Sequence, residues 1–222
     1  MDNILITGGT SHLGSSIAKY FSNKGYNVLV TSRRENNNFK SGIKCISDID
    51  LLETSCLTTL KNTVSEKFDS KFTLINTVGF FPENGHQPFL SHSLDELNKI
   101  IHNNYIALSN TLHYLLPLMI EKGGGNIISI SCKSVKHNFP WMIPFTASKA
   151  AVESLMKGIA NEYSKEGIVS NTLELATLQT ETEQNLKPHG DYNNWLDTKE
   201  VAKTIHTLIS NDNSYINGNV IE

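Results

Sequence analysis

An unbroken apolar run, a glycine-rich turn and an amphipathic helix follow one another at the start of this chain, and together they constrain its fold more than any other stretch. Asn3-Ile4-Leu5-Ile6-Thr7 has the composition of a short strand buried on both faces. Gly8-Gly9-Thr10-Ser11-His12-Leu13-Gly14 comes next, and Ile17, Tyr20 and Phe21 then recur at helical steps. A strand, a turn of glycines and a helix start make an anion site. Glycines let the backbone approach a phosphate, and the amides and dipole of the helix start attract it. A tight turn with no ligand is the other use of the same glycines.

The alternation continues along the chain. Apolar, β-rich runs predict strands over 27–31, 43–46, 72–75, 126–131, 168–173 and 215–222. Helices are predicted over 51–68, 94–121 and 145–165, with a last one capped by Asp197 and running through Val201, Ala202, Ile205 and Leu208. In the long helix, Leu97, Ile101, Leu108, Leu112, Leu115 and Met119 form one apolar face, and Gly123-Gly124-Gly125 ends it. Residues 35–41 are too few for a full crossover helix, and 177–196 read as a polar loop or lid broken by Pro188 and Gly190. Such alternation implies an α/β, Rossmann-like doubly wound parallel sheet of about seven strands with helices on both faces. At 222 residues, one domain over 1–222 is expected.

Composition narrows the function classes. A net charge of -3 with scattered Lys and Arg argues against a nucleic-acid surface. No apolar stretch approaches the length of a bilayer span, and a strand begins too close to Met1 for a signal peptide. Cys45, Cys56 and Cys132 form no close pair, and the eight histidines have no paired helical spacing, so neither a disulfide framework nor a metal site is expected. A cytoplasmic location follows from these features.

Chemistry is concentrated in a few places. Phe145 and Lys149 lie four residues apart and therefore share one face of a helix. The second strand ends in Ser32-Arg33-Arg34, a neutral residue and two cations where a ribose carrying a 2′-phosphate would be met, so NADP(H) is expected over NAD(H); a solvated basic turn is the alternative. Asp48 follows the third strand, Asn76-Thr77-Val78-Gly79 the fourth, and Cys132, Ser134, His137 and Trp141 the fifth.

The set resembles the short-chain dehydrogenase/reductase family over nearly the whole chain. Thr7, Gly8 and Gly14 match its Thr-Gly-x-x-x-Gly-x-Gly, with His12 at the middle glycine, where the imidazole either crowds the pyrophosphate or leans outward. Asn76 and Gly79 match the ends of its Asn-Asn-Ala-Gly. By this resemblance Thr7, Gly8, Gly9, His12, Leu13, Gly14, Ser32, Arg33, Asp48, Asn76, Gly79, Lys149 and Thr180 hold the cofactor, Asp48 near the adenine and Thr180 at the carboxamide; capping the next helix is the other role for Asp48. Asn104 stands where the family keeps the asparagine of its proton relay. The family's tyrosine is Phe145, its serine thirteen residues earlier is Cys132, and its Pro-Gly after the sixth strand is Leu175-Ala176. A phenyl ring has no proton to give. The resemblance implies a homodimer or homotetramer acting on a small molecule. Three readings are open: a reductase with an atypical proton route, through a water at Lys149 and Asn104 or through His137; an inactive, cofactor-binding scaffold; or a non-redox isomerase or lyase using Cys132 or His137.

Overall fold

The computed structural model describes residues 2–35, 39, 42–83, 85–180, 184, 189, 191–210 and 215–222. Seven parallel strands form one sheet in the order β3-β2-β1-β4-β5-β6-β7. They are β1 (Asn3–Thr7), β2 (Asn27–Thr31), β3 (Ile43–Ile46), β4 (Phe72–Asn76), β5 (Gly125–Cys132), β6 (Ile168–Leu175) and β7 (Val220–Ile221). The helices are α1 (His12–Asn23), α2 (Thr54–Lys67), α3 (Leu94–Ile101), α4 (Ala107–Glu121), α5 (Ser134–His137), α6 (Ile143–Tyr163) and α7 (Thr198–Ser210).

The two faces of the sheet are sorted by the period-two alternation of its strands. Ile4 and Ile6 of β1 join Val28, Val30, Ile75 and Ile128 under α1 and α7, where Ile17, Phe21, Val201 and Ile205 cover them. Leu5, Leu29, Leu74 and Ile127 point the other way, under Leu60, Val64, Leu112, Leu115, Val152 and Met156 of α2, α4 and α6. Strand order reverses between β1 and β4, so a crevice opens beyond their carboxyl ends, which is where doubly wound sheets take ligands.

Three departures from the sequence reading have local causes. The long helix is interrupted at His102–Ile106 by a π-turn, which puts an extra residue into one turn; Ile100 rather than Ile101 is buried at the end of α3. β6 runs on to Leu175, paired with Cys132, and the Leu175 carbonyl accepts from Lys133 N at 3.1 Å. A proline there would have no N–H to continue the ladder. β7 is two residues long instead of eight, and residues 215–219 approach it as turn and loop. Pro188 and Gly190, and most of the 35–41 connection, lie outside the described residues. Asp197 caps α7 as expected, accepting from Lys199 N at 2.8 Å. No helix among the described residues is long and apolar enough to cross a membrane.

Candidate nucleotide and catalytic site

The crevice between β1 and β4 is a cavity of about 720 Å³ whose walls include Gly8, Ser11, Arg33, Arg34, Thr77 and Gly79. Its floor requires glycine. Gly8 has φ +73, in the left-handed region. A Cβ on Gly14 would stand 2.4 Å from the Gly8 carbonyl, and one on Gly9 would stand 2.4 Å from Val30 Cβ. Ser11 caps α1, accepting from Gly14 N at 3.0 Å. The N–H groups of His12 and Leu13, in the first turn, have no carbonyl within the helix to bond. His12 is exposed at the head of α1, and Leu13 is buried beneath it.

Thr7 and Asn76 lock the two strand ends that bound the crevice. Thr7 Oγ1 donates to Asn76 Oδ1 at 2.8 Å, and Asn76 Nδ2 donates to Ser129 Oγ at 3.2 Å. Both residues are buried, so they brace the sheet. Ser32 is also buried, and its Oγ accepts from Arg34 N at 3.2 Å, which leaves the exposed Arg33 and Arg34 at the cavity rim. Asp48 stands away from the lining with φ +59; Asp50 is in the wall instead, beside Glu35, and its Oδ1 accepts from Leu52 N at 2.9 Å. Asp48 does not cap α2 either, since the N-cap position is Glu53. The sequence offered no means of choosing between the two aspartates, because the turn after β3 sets which of them faces inward.

The chemical end of the cavity lies behind Gly79. A Cβ on Gly79 would be 3.3 Å from Lys149 Nζ and 3.4 Å from Asn104 Oδ1. Lys149 is 5% exposed and donates to the Ile130 carbonyl at 3.0 Å. Burial pulls its pKa from 10.5 down to about 8, opposed by the nearby Cys132 and Glu153. Asn104 comes inward on the π-turn and is fully used: Oδ1 accepts from Phe80 N at 2.6 Å, and Nδ2 donates to Phe80 O at 3.0 Å and Ser148 Oγ at 2.9 Å. Ser148 donates in turn to Phe145 O at 2.6 Å. Ser148 was missed in the sequence although it lies between Phe145 and Lys149.

Phe145 turns its ring to the edge of Phe81, centroids 4.9 Å apart and planes at 90°. Cys132 is half-buried at the end of β5. Ser131, beside it, donates to Glu153 and is occupied there, while the Ser134 hydroxyl is buried without a hydrogen-bond partner. His137 is exposed, its ring stacked on Phe139 at 5.4 Å. Thr180 is buried in the loop after β6, with its N–H on the Leu178 carbonyl. Among the described residues, no cluster of His, Cys, Asp and Glu is arranged to hold a metal.

The sequence model described as short chain dehydrogenase matches residues 2–191. The chain belongs to the short-chain dehydrogenase family. It is 29% identical over 178 residues to the human protein named inactive hydroxysteroid dehydrogenase-like protein 1, covering 76% of this chain and 53% of that one. It is 28% identical over 177 residues to the uncharacterized oxidoreductase YvrD of Bacillus subtilis, covering 77% and 66%. The chain therefore spans about half the length of the human relative and just under two thirds of the bacterial one. Two solved structures, ElxO with NADP bound and a tyrosine-to-phenylalanine variant of ElxO with NADPH bound, each superpose with a TM-score of 0.89 at 27% identity, covering 99% of this chain and 96% of theirs.

Proposed function

We propose that this short-chain dehydrogenase binds NADP(H) in the β1/β4 cleft and reduces a small carbonyl substrate, with Lys149 in place of a phenol as the source of the proton. The observation that carries this reading is the shared boundary at Gly79: one backbone position separates the nucleotide cleft from a buried ammonium group. The glycine floor fits a pyrophosphate, and the Arg33-Arg34 rim fits a 2′-phosphate. The ElxO structures, with NADP and NADPH in a fold of this kind, support the same choice.

The reduced nicotinamide, when bound, supplies the hydride. The proton for the carbonyl oxygen is held on Lys149 Nζ. With a pKa of about 8, the group is mostly protonated at pH 7 but is a far stronger acid than an ordinary lysine. Asn104 keeps the Phe80 backbone against α6 and so fixes the wall beside the ammonium. The apolar Phe145 and Phe81 rings exclude water from that side. Positioned acid catalysis contributes roughly 10²–10⁴-fold, so loss of the phenol slows a reduction without forbidding it. Assays of NADPH oxidation against a carbonyl panel test the reading, using wild type, Phe145→Tyr, and Phe145→Tyr with Cys132→Ser. If all three stay silent, the reductase reading fails.

A second reading, a cofactor-binding scaffold acting as a homodimer or homotetramer, is favoured by the human relative that is named inactive and by the joint loss of phenol and hydroxyl at Phe145 and Cys132. It predicts that Lys149→Ala leaves oligomer mass and cellular function unchanged.

A further inference from the structure

Behind Lys149 a short polar ladder crosses three elements. Lys149 and Glu153 are one turn apart on α6 and share a face. Two consecutive residues of β5 hold them: the Ile130 carbonyl accepts from Lys149 Nζ at 3.0 Å, and the Ser131 hydroxyl donates to Glu153 Oε1 at 2.5 Å. Ser131 is 3% exposed, and a hydroxyl-to-carboxylate bond of this length is of the strong, charge-assisted kind. Glu174 of β6 is the register partner of Ser131. It is buried, and its Oε1 has no hydrogen-bond partner.

We propose that Glu153, locked by Ser131, is a positioning residue that keeps the buried Lys149 charged beside the cleft. The inference rests on the reading of Lys149 as the proton source. A lysine taken out of water tends to become neutral, and a neutral amine has no acidic proton to give. Cys132 and Glu153 are the ionisable groups whose charge works against burial at Lys149. Of these, Glu153 has the fixed geometry, because a strand hydroxyl holds its oxygen. The carboxyl of Glu174 is pushed up by burial first, then by Glu153 and Glu222. Lys133 and Lys136 lie beyond Glu174 and pair with Glu222.

The direct test is nitrogen-15 NMR of the lysine side chains in the full chain, with the Lys149 signal assigned by its loss in Lys149→Met. Wild type is expected to titrate near about 8. Glu153→Gln keeps an oxygen for Ser131 but removes the charge, and the Lys149 midpoint should fall by about one pH unit or more. Ser131→Ala frees the carboxylate and should lower it by less. A merely structural role for Glu153 would change melting temperature without moving this midpoint. An unmoved midpoint in Glu153→Gln overturns the proposal, and should that variant not fold, an unmoved midpoint in Ser131→Ala does so. The readout needs neither cofactor nor substrate. Failure to bind NADPH would therefore sink the proposed function alone, and an unmoved midpoint beside intact NADPH binding would sink only this inference.

Discussion

The Lys149 ammonium lies 5.7 Å from the centroid of the Phe145 ring, one helical turn away on the same face of α6. A cation over an aromatic face is held weakly, by about 0.5–2 kcal/mol depending on solvation. The ring brings no acidic proton to the lysine's side of the helix.

A hydroxyl added to that ring should therefore supply a second proton donor beside Lys149. Phe145→Tyr is expected to raise the rate of NADPH-dependent carbonyl reduction, by at most the roughly 10²–10⁴-fold that a positioned acid contributes. Because one atom is added to a half-buried ring, unfolding free energy should change by about 1 kcal/mol or less. Steady-state absorbance of NADPH and a thermal melt check the two halves.

Burial of Lys149 also makes a pH prediction whose sign is fixed. The folded-state pKa, about 8, lies below the ordinary 10.5, so the unfolded chain binds more protons between those values. Stability from this group is lowest below pH 8, rises between pH 8 and 10.5, and then levels off. The full difference is roughly 3 kcal/mol. Wild type minus Lys149→Met, followed by thermal or urea unfolding from pH 7 to 11, should climb across that window; a flat difference would refute it.

Asn104 serves the Phe80 N–H and carbonyl and the Ser148 hydroxyl together. Asn104→Ala leaves the partly buried Phe80 N–H without its acceptor, at a cost of about 1 kcal/mol or more. It should lower the urea midpoint and loosen the wall beside Lys149, raising KM as well as lowering kcat. Asn104→Asp keeps an acceptor for Phe80 N and should lose less stability.

Much of this was legible in the sequence, and what was not has identifiable causes. The strands of the sheet interior announce themselves because β1, β2 and β4 are buried on both faces, leaving short runs that are mostly apolar and β-branched. Phe145 and Lys149 could be paired by spacing alone because one helix carries both. The π-turn could not be read, since nothing in His102–Ile106 distinguishes it from an α-turn, and the apolar count therefore misplaced Ile101. Long-range partners were equally hidden. Ser131 and Glu153 are 22 residues apart and meet only because α6 crosses β5. Asp50, and not Asp48, lines the cleft because of the path of one turn.

The proposed chemistry requires a nucleotide in the β1/β4 cleft. Titration of the purified chain with NADPH and with NADH, followed by nucleotide fluorescence, should give micromolar binding that prefers NADPH. Arg33→Ala should weaken NADPH by tenfold or more, about 1.4 kcal/mol, while leaving NADH nearly unchanged. Absence of binding by either nucleotide, or an Arg33→Ala variant that binds NADPH as tightly as wild type, would contradict it.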